Sequence, residues 1–504
     1  MANPSLQIGN SNWAIKEDNL LGYSTAGTRF VPQPITMTRA SAGTRVNSSG
    51  LVETVELLGS EDVEDGSFAN DLDDWTGYGT RSATGGIATI GASANSGIYQ
   101  DALTNGLTYS VTINVISYDG VGSAQVANNN GNVIYTITTT GIQTFTFTHS
   151  IASGNLLIRG LSNALFSVSN VSVKEVTKNN LARVDYDGTA SSLLVEPQRI
   201  NVNTYSEDFG QSFYIKDSGV SVGDTNFVSP SGESNASQIE VNNNLRIYAN
   251  VASDTYASSW YIKAGTFSYF RSGGDIDLVA GTFSGGTIES VGNGWFRITK
   301  QYTGNRPFQI QAYPDGTYSS HTTTGDYYIW GSQIEAGSYA TSYIPTDGGT
   351  VTRVQDLYSK TGISNLINSE EGVLFVEIAA LTITNSSNAA ISVSDGSTTN
   401  RIFMYYSAVT NVIKFQSIVG GSTAAFMQYT LTDITIQQKI AFRWNGTTFS
   451  VFIDGDLKGS DDRGLSFTSG TLNVLGLNRG SAAEYFFGKV KQLQVYDTSL
   501  SDTQ

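Results

Sequence analysis

What most constrains this chain is the alternation of apolar and polar residues in short runs, each broken by Gly, Asn, Ser or Asp. Val111–Ile116 (VTINVI), Val133–Thr138 (VIYTIT) and Thr144–Thr148 (TFTFT) alternate residue by residue. Side chains two apart share one face of a β-strand, so this pattern suits a half-buried strand and not an amphipathic helix. Similar runs recur at Ala257–Lys263, Trp295–Lys300, Tyr327–Gln333, Val373–Ala379, Ile402–Tyr406, Ala441–Trp444, Ser450–Asp454 and Val490–Tyr496, and Val168–Val176 reads as a closing strand. No stretch of useful length carries helical spacing. Charged residues are only 14% of the chain, against about a quarter in ordinary soluble domains, and a helix surface needs them. Hydrophobics at 39% and aromatics at 11% are too many for disorder. The expected class is all-β, built of antiparallel sandwiches.

Size and charge remove other options. At roughly 100–200 residues per domain, 504 residues imply three or four domains. The 28 basic and 44 acidic residues leave a net charge of −16 with no basic run, which excludes nucleic acid and disfavours an anionic membrane surface. No segment approaches the roughly 20 apolar residues of a membrane helix, so no membrane insertion is expected. The absence of cysteine excludes disulfides, thiol catalysis and thiolate metal sites. MANPSLQIGNSNW lacks the basic start and apolar stretch of a secretory signal. Synthesis in a bacterial-type cytoplasm is the expectation, with any display outside the cell reached by a route other than secretion.

The expected organisation is an extended N-terminal arm with connecting strands (1–58), a jelly-roll block (59–178), a second jelly-roll block (179–346), a linker (347–369) and a C-terminal sandwich (370–504). The arm holds two close prolines (VPQPIT) and little periodicity. The two blocks share a layout: an acidic and aromatic opening (DGSFANDLDDWTGYG; NTYSEDFGQSFYIKDSGVSV), a strand-rich middle and an alternating close (FSVSNVSVKEV; YYIWGSQIEAG). They read as two diverged copies of one module. TTGIQ, between two alternating runs, reads as a hairpin turn.

The segments TRASAGTRVNSSGLVETV and LARVDYDGTASSLLVEPQRINVNTYSEDF, then NGWFR (Asn293–Arg297), IWGSQIEAGSYATSYIPT (Ile329–Thr346) and TVTR (Thr350–Arg353), resemble a recurrent pattern of tailed-bacteriophage virion proteins. The match spans roughly residues 35–55 and 181–355. In that family the TRVN…GL segment passes to RxDY within a few residues. Here about 120 intervene, so Glu56–Lys178 reads as a domain inserted between paired flanking strands, Leu51–Val55 and Leu181–Tyr186. The insert resembles the carbohydrate-binding jelly rolls appended to glycoside hydrolases, on DGSF (Asp65–Phe68), Trp75 and VSVKEV. The last block is similar to the laminin-G/concanavalin-A-like family, on KIAFRWNGTTFSVFIDG (Lys439–Gly455) and FFGKVKQLQVYDTSLSDTQ (Phe486–Gln504). The resemblances imply a virion protein of tail-fibre or head-fibre type, displayed on the particle. It would be a homo-oligomer, usually a trimer, its arm docked on a capsid or tail protein and its sandwiches holding host-surface polysaccharide.

The residues that could carry chemistry also have plainer readings. His149 and His321 lie in different blocks without a partner motif, so a Ser-His-Asp triad or a zinc site is not expected. Paired carboxylates serve glycosidases at about 5–9.5 Å, a reach that strand positions i and i+2 provide. Asp275 and Asp277 have that spacing, but charged residues also guard strand edges, and this is the favoured reading. The Glu-x-Asp-x-x-Glu strand of concanavalin-like glycosidases is absent from 370–504, where Glu370, Glu371 and Glu377 are wrongly spaced. Asp454–Asp462 (DGDLKGSDD) fails the EF-hand template at Lys458 and Leu465 and reads as an Asp-Gly hairpin. Asp65 could serve calcium in the insert, but Ser169 and Asn170 stand where related jelly rolls often carry an acid. No phosphate-binding loop is present. The expectation is therefore no catalytic residue, no metal and no cofactor. A polysaccharide depolymerase and a purely architectural decoration protein remain the alternatives. Sugars stack their C–H faces on aromatic rings, and the candidate platforms are Trp75, Tyr78, Tyr99, Trp260, Tyr269, Tyr405 and Tyr485. Trp295, Trp330 and Trp444, inside apolar runs, are assigned to the core.

Overall fold

A computed structural model describes residues 3–10, 13, 15–16, 19–26, 29–128, 131–243, 245–383, 389–481 and 483–502, with backbone alone at 16, 19, 21, 23–26 and 29–30. Among them there is no α-helix, and every strand pairing is antiparallel. Among the described residues no helix is long and apolar enough to cross a membrane. The chain divides into two compact units, Glu56–Lys178 and the remainder.

The smaller unit is a sandwich of two sheets. One runs Gly141–Thr148, Thr108–Tyr118, Phe166–Thr177, Ile87–Ile90, Arg81–Thr84, with Leu57–Glu61 also paired to Phe166–Thr177. The other runs Asn132–Ile137, Ser123–Asn128, Asn155–Leu161, Asn95–Asp101, Thr76–Tyr78. The inward members of each alternating run, Val111 and Ile113 against Ile98, Val126 and Ile158, are fully buried. The TTGIQ hairpin does not form. Asn132–Ile137 and Gly141–Thr148 lie in opposite sheets, so TTGIQ is a crossover whose flanking strands pair elsewhere.

In the larger unit, residues 199–353 form a second sandwich. Its sheets run Val220–Val222, Ser234–Asn242, Thr324–Ala336, Asp254–Ala264, Trp295–Gly304, Thr287–Gly292 and Tyr214–Lys216, Arg246–Ala249, Phe308–Tyr313, Tyr269–Arg271, Asp275–Asp277, Thr282–Phe283. The chain visits the two sheets in the same order as in the insert, and both modules place the closing strand centrally in the first sheet. This common topology is what two copies of one module require.

The third sandwich draws on both ends of the chain. One sheet runs Asp456–Asp462, Thr448–Ile453, Gln438–Asn445, Glu371–Ala380, Gly488–Tyr496. The outer edge of Gly488–Tyr496 is taken by Leu6–Gly9 and Ala190–Val195. The opposing sheet runs Ser422–Thr430, Val412–Val419, Arg401–Tyr406, Ala390–Ser394, Val474–Gly476, Leu357–Lys360, Arg29–Thr38, Asn19–Ala26.

The expected N-terminal arm is therefore corrected. Leu6, Ile8, Leu20, Ile35 and Met37 enter the core of the C-terminal sandwich, because two short alternating stretches cover edges that would otherwise expose unpaired backbone. Pro32 and Pro34 fall where Arg29–Thr38 has a neighbour on one side only, where a sheet tolerates proline. The linker is corrected too, since Val351–Arg353 and Leu357–Lys360 are sheet strands. The flanks of the insert do not pair with each other. Val52–Thr54 pairs with Thr44–Val46, and Arg183–Asp187 with Ala190–Val195.

The TRAS, RVDY, EPQR and TVTR motifs converge on one buried ion network. Arg39 (TRAS) binds Asp356 at 2.7 Å, and Arg183 (RVDY) binds that carboxylate and also Glu196 (EPQR) at 2.6 Å. Arg353 (TVTR) reaches Glu196 at 2.8 Å. Ser342 donates its N–H and Oγ–H to Glu196, each at 2.7 Å, and Glu335 accepts from the Thr341 N–H at 2.9 Å. Burial opposes ionisation of Glu196, but the Arg353 and Arg183 guanidiniums beside it hold its carboxyl well below the usual range. Every cation here has a carboxylate, as buried charge requires.

Candidate functional site

The outer face of the C-terminal sandwich gathers the most promising group. Leu374, Val376 and Ile378 point inward, so Val373, Phe375 and Glu377 point outward. Register places Ala441 and Gln494 on either side of Phe375, with Phe452 beyond Ala441. The next row carries Arg443, Val373 and Tyr496. Phe375, Phe452 and Tyr496 are half-buried and line a depression of about 270 Å³, which the segment Leu500–Asp502 borders.

Polar groups on this face form a directed ladder. The Tyr496 hydroxyl donates to Gln494 Oε1 at 2.5 Å, Gln494 Nε2 to Gln492 Oε1 at 2.9 Å, and Gln492 Nε2 to Glu377 Oε2 at 2.8 Å. Lys491 closes it on Glu377 Oε1 at 2.8 Å. Burial works against the Glu377 carboxylate, but the bonds from Lys491 and Gln492 win and lower its pKa. Arg443 lies over Phe452 at 4.9 Å and pairs with Asp502 at 2.5 Å. The face thus offers aromatic floor and oriented amides, with Arg443 and Glu377 paired and Lys439 exposed at its rim.

A second face lies on the insert. Tyr78 stands opposite Gly97, and Tyr99 is two residues further along that strand, so both rings leave the same side of the sheet. A Cβ at position 97 would lie 2.8 Å from the Tyr78 hydroxyl, so this glycine leaves the space the tyrosine uses. Arg159 follows in the same row. It is held by Gln125 Oε1 at 2.8 Å and the Gly131 carbonyl at 3.0 Å. Tyr78 and Tyr99 are half-buried.

The other candidate platforms fare differently. Trp75 is only 5% exposed, packs on Phe68 and donates its indole N–H to the Asp65 carbonyl, so it is a core residue and not a platform. Trp260 is fully buried against Phe308. Its neighbour Tyr261 does point to the opposite face, but Trp330 and Tyr343 cover that face as well. Tyr405 is 9% exposed, stacked on Phe403 and overlain by Arg479. Tyr269 and Tyr485 are half-buried, the first edge-on to Tyr318 and the second bridged to Ala390. Trp295, Trp330 and Trp444 are buried.

The ionisable candidates are occupied structurally. His149 is fully buried, donating from Nε2 to the Ser153 carbonyl and accepting the Asn128 amide at Nδ1. His321 bonds the Ala312 carbonyl and the Thr323 N–H. Asp275 pairs with Arg271 at 2.7 Å, and Asp277 accepts the N–H groups of Val279 and Ala280. Asp65 accepts from Asn70 N–H, Ala69 N–H and Ser67, and these bonds lower its pKa. Asp454 and Gly455 have φ of 53° and 90° between paired strands, as a two-residue hairpin turn demands. Among the described residues no three His, Asp or Glu side chains converge to hold a metal ion.

Comparison with known proteins places part of this geometry. Residues 378–504 are similar to the concanavalin A-like lectin/glucanases superfamily. No curated protein matches the chain. Among solved structures, the Ruminococcus gnavus IT-sialidase CBM40 bound to alpha2,3 sialyllactose is 17% identical, covering 27% of this chain and 79% of that one with a TM-score of 0.22. The tandem CBM22-1-CBM22-2 domain of Paenibacillus barcinonensis Xyn10C is 11% identical, covering 56% and 98% with a TM-score of 0.22. A point mutant of the GH43 protein BlXynB from Bacillus licheniformis is 9% identical, covering 98% and 99% with a TM-score of 0.20.

Sequence reading missed Phe375, Phe452, Tyr496 and Arg443. The signal was there: each is an outward member of an alternating run whose inward members are uniformly aliphatic or aromatic. An aromatic on the polar side of such a strand is the feature to seek.

Proposed function

We propose that this chain is a non-catalytic glycan-binding protein serving adhesion on the exterior of a bacteriophage particle, as a tail-fibre or head-fibre type component that holds host-surface polysaccharide. The observation that carries the binding role is the outer-face depression of the C-terminal sandwich. There Phe375, Phe452 and Tyr496 offer stacking surface beside an oriented row of amides. Phe452, Tyr496 and the amides lie within residues 378–504, the region similar to the lectin/glucanases superfamily, with Phe375 just before it. Aromatic rings accept the C–H faces of sugars, and amides bind their hydroxyls. Tyr78 and Tyr99 on the insert add a second surface of the same kind. Weak single sites suffice when copies act together through effective concentration, which favours a homo-oligomer, a trimer in the proposed arrangement. The virion setting is supported by the TRAS, TRVN, RVDY and ATSYIPT segments, and virion display is part of this reading.

The test is retention of the purified protein on host cells with and without periodate oxidation of surface glycans, repeated with Phe375→Ala and Tyr496→Ala. Periodate should abolish retention, and each variant should weaken it at least tenfold at an unchanged melting temperature. Retention indifferent to periodate overturns the glycan reading. New reducing ends released from host polysaccharide overturn the non-catalytic part.

A further inference from the structure

The second module carries a pocket that the faces above do not use. Its volume is about 640 Å³, inside the range of about 300–1,000 Å³ usual for small-molecule sites. It forms where two virion-like motifs meet. Tyr205, Glu207 and Asp208 come from NTYSEDF and Asp347 from the end of SYIPTD, with Tyr205 and Asp347 joined by a backbone bridge. Asn235 and Ser237, two apart on Ser234–Asn242, share the face that closes it.

Its chemistry is one-sided. Three carboxylates line it without a lysine or arginine, and among the described residues none of the three has an ion-pair partner. Glu207 is fixed in place: the Tyr343 hydroxyl donates to Oε1 and Asn235 Nδ2 to Oε2, both at 2.8 Å. Burial pushes its carboxyl above the usual range, against the pull of those bonds. Asn235 Oδ1 is buried without a partner. Ser237 is 1% exposed and makes no side-chain hydrogen bond to another described residue. Buried polar atoms are almost always satisfied, by protein, solvent or ligand, so acceptors beside a pocket suit an occupant that donates. Asp208 is taken up by the Gly210 N–H at 2.9 Å and Gln211 Nε2 at 2.7 Å, so Glu207 and Asp347 are the acceptors left for a donating ligand. The half-buried Tyr205 supplies an apolar wall.

We propose that this pocket is an end-on subsite for a sugar unit bearing a free, protonated amine, a hexosamine without its N-acyl group. The ammonium lies between the carboxylates of Glu207 and Asp347. A ring hydroxyl donates to Ser237 Oγ, and a C–H face rests on Tyr205. The proposal builds on the glycan-binding reading but concerns a separate site.

Calorimetry on the full chain tests it with three probes: a glucosamine oligosaccharide, the N-acetylglucosamine oligosaccharide of equal length, and spermidine. The free-amine sugar should bind at least tenfold more tightly than the acetylated one, and more weakly as salt rises. Glu207→Gln and Asp347→Asn should each cost at least tenfold. Asp347 is exposed, so its variant keeps the test valid if Glu207→Gln fails to fold. Equal binding of the two sugars, spermidine binding as tightly as the oligosaccharide, or no binding overturns the subsite. Periodate-sensitive cell retention that persists when no amino sugar binds removes the subsite and leaves the glycan reading standing. Loss of both removes both.

Discussion

The insert and the second module follow one strand order but treat charge in opposite ways. Among the described residues, the insert buries no Asp, Glu, Lys or Arg. Its closing strand is finished by Glu61, which accepts the Ser172 hydroxyl at 2.7 Å near the surface. The second module buries Lys300 and Glu335 and meets Arg183, Glu196 and Arg353 at its margin. The topology therefore does not need buried charge. The insert is a compact unit with its own apolar core. The second module shares a unit with the C-terminal sandwich, and there the arginines tie together segments as far apart as Arg39 and Asp356. Buried ion pairs are weak contributors to stability but demanding about geometry, so we read the network as fixing which segments meet.

The strongest way to break this comparison is Arg183→Met. It strands Glu196 and Asp356 beside fewer cations and should cost the larger unit about 3–5 kcal/mol, while the insert's unfolding transition stays in place. Thermal scans that resolve two transitions check this, and a joint shift of both refutes the division of roles. Trp75→Ala is the mirror experiment: about 3 kcal/mol or more should be lost from the insert's transition alone. Reduced glycan binding with unchanged stability would instead restore Trp75 as a platform.

Lys300 sharpens the contrast through pH. Desolvation lowers its pKa to about 8. Its ammonium donates to Ser272, at 3.1 Å to the carbonyl and to Oγ, and lies over the Tyr302 and Trp260 rings at 5.1 and 5.9 Å, with no carboxylate paired to it among the described residues. Below about pH 8 the folded chain must bury this charge, and the penalty fades as pH rises toward the unfolded value near 10.5. Lys300→Met should therefore raise stability by up to about 3 kcal/mol at pH 7, and the gain should shrink by pH 9.5 in denaturant titrations. A gain independent of pH refutes the account. The smallest stability effect belongs to the insert's open face. Tyr78→Ala with Tyr99→Ala should change stability by about 1 kcal/mol or less, while glycan retention falls if that face binds. A larger unfolding shift would mark both as core.

Much of the fold could be read from the runs themselves. Val111–Ile116 lies within Thr108–Tyr118, and Val490–Tyr496 within Gly488–Tyr496, because a period of two declares a strand wherever one face is buried. Partners were less legible. Asn132–Ile137 and Gly141–Thr148 look like a hairpin in sequence but cross between sheets, and the proline-bearing N-terminal stretch became sheet edge. The candidate site was legible only in part. Tyr78 and Tyr99 share a face, while Trp75, Trp260 and Tyr405 are covered by residues distant in sequence.

The chain's pattern alone determined that it is all-β, how its strands alternate, that Asp454-Gly455 turns a hairpin, and that cysteine chemistry is absent, since each follows from local sterics or composition. Only tertiary structure decided that residues from TRAS, RVDY, EPQR and TVTR share one ion network, that the N-terminal strands complete the last sandwich, and which aromatics stay open. Those outcomes depend on what covers a face, and alternation says which way a side chain points but not what it meets there.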